Sequence, residues 1–344
     1  MGAPIVIEGA KAFAEPAAYG GSPGQRAASA GTRAGSVHGG LPDAYVPRKR
    51  AVEAGGGRTS EGVQMRTAQK ATLMNNVLCL GDPRCSVAQA YARSLASTFK
   101  SRLTFASLVL ELGAPNTTEM LSFDIFVSAL ESSKATKLAE LKKVAWLARG
   151  EHISAEPKVV TAPLGTAWQA IADFARAFDL AVIEQSGGTL EMDNDLEIEA
   201  ALFGSGRPIL VVPYIHKAPF KLDRLIVAWD GSAGAARAMG DAMPLLAKAE
   251  EIHILSVTKA PDRKLDEAGA AIVRHLAHHG LPAEFRLLIS GIDAANTLLS
   301  YASDNSADLL IMGGYGHSRY REFLLGGVTR SILQAMTLPV FMSH

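Results

Sequence analysis

A bias of charge toward one sign is missing from this chain: Lys and Arg together number 34, and so do Asp and Glu. A balanced chain advertises neither nucleic acid nor an anionic membrane surface as its partner. Cysteine is scarce too, with Cys79 and Cys85 the only two, six positions apart. That spacing makes neither a Cys-x-x-Cys redox pair nor a disulfide framework. Cys79, inside an apolar strand pattern, reads as a small core residue and Cys85 as a loop thiol, so a reducing, cytoplasmic setting is the expectation. Long apolar runs are absent, and none approaches the ~20 residues of a membrane helix. The first residues also lack a basic segment followed by an apolar one, so no secretory signal is expected.

Several catalytic and nucleotide motifs are missing as well. There is no Gly-x4-Gly-Lys-Ser/Thr loop. The Gly-x-Gly-x-x-Gly fingerprint fails because Arg319 stands where the last glycine would follow Gly314 and Gly316,. Gly231-Ser232-Ala233-Gly234 does not match the Gly-x-Ser-x-Gly nucleophile elbow,. These absences disfavour a P-loop ATPase, a dinucleotide enzyme and a serine hydrolase. His275, His278 and His279 share helical spacing, but a zinc site needs further ligands nearby, and a solvated helix face is the plainer reading,.

What remains is a globular composition, with 48% hydrophobic and 20% charged residues, in a chain of 344 residues that is long enough for two ordinary domains,. Residues 1–73 differ from the rest. Gly20-Gly21-Ser22-Pro23-Gly24 and Gly55-Gly56-Gly57 punctuate a stretch with almost no apolar periodicity, which reads as a disordered Gly/Ala-rich tail,. Met65 and Met74 lie just before the first strand pattern. A reading frame starting at either would shorten or remove the tail, and a mass spectrum of the native N-terminus decides the point.

From residue 76 onward, apolar strand patterns alternate with helical ones. Val77-Leu78-Cys79-Leu80 ends at Gly81-Asp82-Pro83. A helix is predicted over 86–99, a strand over 103–110, one or two helices over 123–148, and a short strand over 158–160. A helix over 168–178 and a strand over 180–183 precede an acidic insertion at 187–199, and a strand follows over 208–213. After a linker at 214–222 the order repeats: strands at 225–229, 252–257 and 285–288, helices at 234–249, 266–279 and 294–305. Such alternation argues for parallel β-α units with right-handed crossovers.

The two series align as an internal repeat. Val77-Leu78-Cys79-Leu80-Gly81-Asp82 matches Leu225-Ile226-Val227-Ala228-Trp229-Asp230, and Asp179-Leu180-Ala181-Val182-Ile183 matches Asp308-Leu309-Leu310-Ile311-Met312. Two α/β domains, 74–216 and 222–344, are therefore expected.

The stretch 308–330 carries the chemistry. Asp308-Leu309-Leu310-Ile311-Met312 is a strand buried on both faces, followed by Gly313, Gly314 and Gly316, nine further residues, and then Gly326-Gly327-Val328-Thr329-Arg330,. Ile332, Leu333 and Met336 continue in a helical pattern. Glycines at a strand's carboxyl end let main-chain N–H groups approach a ligand, and a helix start adds free N–H groups and a positive dipole end. Together they make an anion site, best suited to phosphate. In open α/β sheets ligands lie beyond the strands' carboxyl ends, where Asp230 also falls. Its carboxylate suits a ribose or adenine hydrogen bond, and equally suits capping the helix that follows.

The spacing Gly313-x-x-Gly316-x9-Gly326, with Val328-Thr329 and a closing Leu338-Pro339-Val340-Phe341-Met342, resembles the nucleotide-binding signature of the universal stress protein family. The resemblance implies two Rossmann-like, doubly wound parallel-sheet domains of the adenine nucleotide alpha hydrolase type in tandem, paired through their last strands. It implies ATP or a related adenosine nucleotide as ligand, with Mg²⁺ brought by the phosphates. Asp230 would contact the adenosine and Val257 would pack on the base. Gly313, Gly316, Gly326, Gly327, Val328 and Thr329 would surround the phosphates. Where the family carries Ser or Thr after the third glycine, this chain has Gly327, which keeps the main-chain N–H and drops the hydroxyl.

The first half departs further. Glu184-Gln185-Ser186-Gly187-Gly188 leads into Glu191, Asp193, Asp195, Glu197 and Glu199, carboxylates where phosphate would lie, and Gly204-Ser205-Gly206 is at best a remnant,. Its nucleotide site is expected to be lost. The expected function is nucleotide-binding regulation of a stress response, with no catalytic residue and no dedicated metal ligand. The alternatives are a nucleotide-free protein-interaction scaffold and, last, a slow ATPase. An intramolecular pairing of the two domains is expected, with a homodimer or a protein partner as further options.

Overall fold

The first half opens on Asn76–Leu80 (β1), whose last four residues are all buried. It continues through Ser86–Phe99 (α1), Arg102–Glu111 (β2), Met120–Gly150 (α2), Ala155–Pro163 (β3), Ala167–Ala175 (α3), Leu180–Glu184 (β4), Asp195–Glu199 (α4) and Ile209–Val212 (β5). The second half runs Arg224–Ala228 (β6), Ala233–Asp241 (α5), Met243–Leu246 (α6), Glu251–Thr258 (β7), Arg263–His278 (α7), Ala283–Ile289 (β8), Ala294–Asp304 (α8), Leu309–Gly313 (β9), Gly327–Ala335 (α9) and Val340–Ser343 (β10). This computed structural model describes residues 74–111, 120–187, 194–314 and 327–344, so the expected tail, residues 1–73, lies outside the described residues.

All ten strands form one sheet in the order β3-β2-β1-β4-β5-β10-β9-β6-β7-β8. Within each half every pair is parallel, as the buried apolar strands require,. The halves meet where β10 pairs β5 antiparallel, with Val340 opposite Val211, Phe341 opposite Leu210 and Met342 opposite Ile209. An antiparallel join points the carboxyl ends of the two parallel sets toward opposite edges of the sheet. The two halves therefore place their equivalent ligand edges on opposite sides of the molecule.

Because strand side chains alternate between faces, the core divides into two layers that each run through both halves. One holds Val77, Leu103, Phe105, Leu210, Val227, Ile254 and Phe341 under α1, α2 and α5–α7. The other holds Leu78, Leu80, Ile183, Val211, Leu310, Val340 and Met342 under α3, α8 and α9. Phe105 and Phe341 are the largest side chains that are fully enclosed.

Several elements differ from the sequence-based expectation. The region expected as one or two helices over 123–148 is one helix, α2, within that expectation and a few residues longer at its start. The short strand over 158–160 is the nine-residue β3, because pairing along the whole of β2 extends it at the sheet edge. The helix expected over 234–249 breaks at Ala242: Pro244 has no N–H to continue α5 and instead occupies the first turn of α6,. The helix over 168–178 ends at Ala175. The end of the acidic insertion is helical, as α4, and a π-helical turn at Ala200–Gly204 follows it. Cys85, expected as a loop thiol, is the buried residue of the loop just before α1.

Candidate functional site

β6 delivers Asp230 to the carboxyl edge of the second half. Gly231, at φ +76, turns the chain in the left-handed region that glycine tolerates best, and α5 begins,. The helix cap is Ser232, whose Oγ accepts the Ala235 N–H at 3.1 Å,. Asp230 is therefore not the cap; its Oδ1 accepts the Ser232 N–H at 2.9 Å and so braces the turn, with the residue lining the adjoining cavity.

That cavity measures about 250 Å³, near the lower end for small-molecule sites,. Its apolar wall comes from Ala228, Leu255, Val257, Leu298 and Met312, and its polar side from Asp230, Ser232 and Thr329. Gly313, Gly327 and Val328 complete it. Six of the eight residues expected from the sequence thus meet around one space: Asp230, Val257, Gly313, Gly327, Val328 and Thr329. The other two, Gly316 and Gly326, lie outside the described residues. Trp229, Leu255, Ala294 and Leu298 also line it and were not expected, since an apolar lining residue looks like any other core position in a sequence.

The two glycines act differently. A Cβ on Gly313 would stand 2.6 Å from the Gly234 carbonyl carbon and 2.8 Å from the Ala235 nitrogen, so only glycine lets β9 approach the first turn of α5. A Cβ on Gly327 would meet nothing within 4 Å. The start of α9 borders open space, with its first N–H groups lacking helical partners. Thr329 is buried within that first turn, whereas Val328 is 43% exposed.

At the other edge, the first half shows the same frame filled by its own side chains. Asp82 corresponds to Asp230, but its Oδ1 accepts both the N–H and the Nε–H of Arg84, and Lys137 Nζ lies 3.4 Å from Oδ2. Burial opposes ionisation of Asp82, yet these hydrogen bonds and charges outweigh it and hold the carboxyl below its ordinary value,. In the strand pairing Cys79 faces Val182 as Val227 faces Ile311, which places Glu184 where the second half has Gly313.

Glu184 is 7% exposed, and its Oε2 accepts the Ala88 N–H at 3.0 Å. It thereby caps α1 from the side, because the capping position itself holds Cys85, whose side chain makes no capping bond. Burial raises the Glu184 pKa, and the N–H groups of Ala88 and Val87 offset this only in part,. The fully enclosed Asn194 closes the edge, donating from Nδ2 to the Glu184 carbonyl at 3.0 Å and, from its main chain, to Ser186 Oγ at 2.9 Å. Burial, with the Glu184 charge, pushes the Cys85 thiol up to about 12, so it stays protonated and is no nucleophile,. The sequence alignment of the repeats held the signal for Glu184, since it follows the apolar run at the position of Gly313.

No helix among the described residues is long and apolar enough to cross a membrane, and no group of three or more His, Cys, Asp or Glu among them could hold a metal ion.

Comparison with known proteins bears on the same two halves. Residues 221–344 match the model of the universal stress protein family. A universal stress protein of Synechocystis sp. is 27% identical over 175 residues, which cover 49% of this chain and 58% of that relative's length. The crystal structure of a universal stress protein from Archaeoglobus fulgidus, 20% identical, covers 78% of this chain and 98% of its own with a TM-score of 0.58, a likeness of fold. The match to the universal stress protein family thus falls on the second half, residues 221–344, and the first half repeats the same parallel strand order.

Proposed function

We propose that the second half binds ATP or a related adenosine nucleotide in the cavity at its carboxyl edge, and that the protein is a stress-response regulator without committed catalysis. One observation carries this reading: the cavity joins an apolar slot, Leu255, Val257 and Leu298, to a glycine-bordered helix start at Gly327–Thr329. The slot suits a base, and the N–H groups of a helix start suit phosphate. Asp230 lines the same cavity, and its carboxylate suits a hydrogen bond from ribose or adenine.

The fit to phosphate rests on the main chain. Gly327 lacks the family's hydroxyl but lines the cavity with its main chain, and Thr329 supplies a hydroxyl two residues further on in the same turn. Mg²⁺ would enter with the phosphates, because Asp230 is the one carboxylate among the described lining residues,. The bound nucleotide would act as a switch ligand. The first half, whose matching edge is filled by Glu184 and Asn194, would not bind a second one.

The test is to purify the chain, denature it and identify any released small molecule by mass spectrometry, with Gly316→Val as control. ATP, ADP or AMP that disappears in the variant supports the reading. A chain that releases nothing and shows no thermal shift with millimolar ATP and Mg²⁺ overturns it, since ligand at ~100 times its Kd stabilises by about 2.7 kcal/mol. A nucleotide-free scaffold for a protein partner would then be the better account. Multiple turnovers of bound ATP would overturn the non-catalytic part alone.

A further inference from the structure

The cavity of the second half is bordered by two pieces of chain, the end of β9 and the start of α9; residues of the first half reach the residue after β9 and the last turn of α9. After β9 comes Gly314, whose N–H donates to the Ser343 carbonyl at 2.7 Å. A Cβ on Gly314 would stand 3.1 Å from Cδ2 of Leu202, so the Leu202 side chain lies directly over this residue. Leu202 belongs to the π-helical turn of the first half and is 2% exposed. Its neighbour Phe203 stacks edge-on against His344 at 5.1 Å, and His344 Nδ1 is 3.0 Å from the Gly314 carbonyl oxygen. At the far end of α9, the helix whose first turn lines the cavity, Gln185 Nε2 donates to the Leu333 carbonyl at 2.6 Å.

These contacts are the same contact made twice. Leu202 lies seven residues before the start of β5, and Leu333 seven before the start of β10. Gln185 follows Glu184 as Gly314 follows Gly313. Each half thus lays its last helical segment over the residue after the other's fourth strand. The details differ: on one side a glutamine reaches a carbonyl, and on the other a leucine covers a glycine. The turn that carries Leu202 is itself held firmly. A Cβ on Gly204 would stand 2.5 Å from Ala172 Cβ, and Arg176 Nη2 donates to the Gly204 carbonyl at 2.8 Å, so the turn is seated on α3. A π-helical turn is a common device where a side chain must be re-aimed.

We infer that the first half is a positioning element for the second half's ligand site: Leu202 against Gly314 holds the end of β9, and Gln185 on Leu333 holds α9 by its last turn, so that together they set the separation of the two borders of the cavity. The inference rests on the nucleotide reading for its ligand, and on the contacts above for its mechanism. It gives the first half a role that needs no ligand of its own. It also makes coupling run both ways, because a ligand that tightens α9 acts back on Gln185 at the closed edge of the first half.

The test uses the full chain and the variants Leu202→Ala, Leu202→Met and Gln185→Met, the last keeping side-chain volume while removing the donor. Two quantities are measured: the Kd for ATP, and amide hydrogen exchange without nucleotide in peptides covering Gly313–Gly314 and 327–335. Leu202→Ala and Gln185→Met should each weaken ATP binding by about fivefold to tenfold, and Leu202→Met should restore most of the loss. Exchange at those peptides should quicken by about tenfold or more, while peptides from β1 and β2 keep their rates. Unchanged exchange at both borders overturns the inference. So does exchange that quickens equally everywhere in Gln185→Met and Leu202→Ala, which would report lost stability in place of positioning. A wild-type chain that binds no adenosine nucleotide overturns the proposed ligand, and the exchange measurement still decides whether the first half holds these borders.

Discussion

Where its fourth strand ends, the first half carries a buried carboxylate, and the second half carries no side chain at all. Glu184 and Gly313 occupy equivalent places against the first turn of the following half-site helix, α1 or α5. In the second half the helix is capped from within its own turn, by Ser232, and the strand end is bare enough to pack directly on the helix backbone. In the first half the capping position holds Cys85, and the glutamate reaches across to accept the orphaned Ala88 N–H. A side-chain carboxyl thereby does for α1 what a hydroxyl does for α5. One backbone frame thus supports an open site and a closed one, and the difference resides in very few side chains.

The strongest way to break the comparison is at the join. Phe341 is fully buried in β10 opposite Leu210, in a core layer that continues through both halves. Phe341→Ala should cost about 4 kcal/mol. In denaturant titrations, probes in the two halves should lose structure together; separate transitions would show that the halves are independent despite the shared layer.

Next is the exchange of the two strand-end residues. Gly313→Ala drives a methyl group to within 2.6 Å of backbone, and should destabilise by about 2 to 3 kcal/mol,. Urea melts will check this, and a loss under about 0.5 kcal/mol would mean that β9 and α5 can part without cost. A smaller effect follows from the caps. Ser232→Ala should cost about 1 kcal/mol. Glu184→Ala, which strands a buried N–H, should cost about 1 to 3 kcal/mol. Equal losses in the two variants would show that an ordinary hydroxyl cap and the cross-strand carboxylate do the same work.

The smallest effect is the dependence on pH. Because the folded state raises the Glu184 pKa, the stability tied to its protonated form is fully present below the ordinary carboxyl value of 4.5 and is lost as pH rises through the folded value,. Glu184→Gln keeps an acceptor for Ala88 and carries no charge. Its Tm relative to wild type should therefore climb between pH 4 and neutrality. A difference that stays flat over that range would show that the carboxylate ionises without cost in its buried place.

Much of the frame was legible in the residues. Period and run length marked nearly every strand and most helices, because burying both faces of a parallel strand forces a continuous apolar run such as Leu309–Gly313,. Six of the eight expected site residues line one cavity, because a strand's carboxyl end and the glycine after it are neighbours in sequence as well as in space. What the residues left open, a neighbour decides. Asp230 suited a ligand hydrogen bond and a helix cap alike, and Ser232, which accepts the Ala235 N–H, takes the cap. β3 looks like three residues until the length of β2 beside it draws it out to nine.

By itself, then, the sequence determined a repeated α/β order, a glycine-rich edge in the second half and its acidic counterpart in the first, since each of these is written in local spacing and residue type. Only the tertiary structure decided that Glu184 caps α1, that the two carboxyl edges face opposite ways, and that Leu202 and Gln185 of one half reach Gly314 and Leu333 of the other. Those facts depend on the antiparallel pairing of β5 with β10, which joins residues more than a hundred positions apart and leaves no periodic trace along the chain.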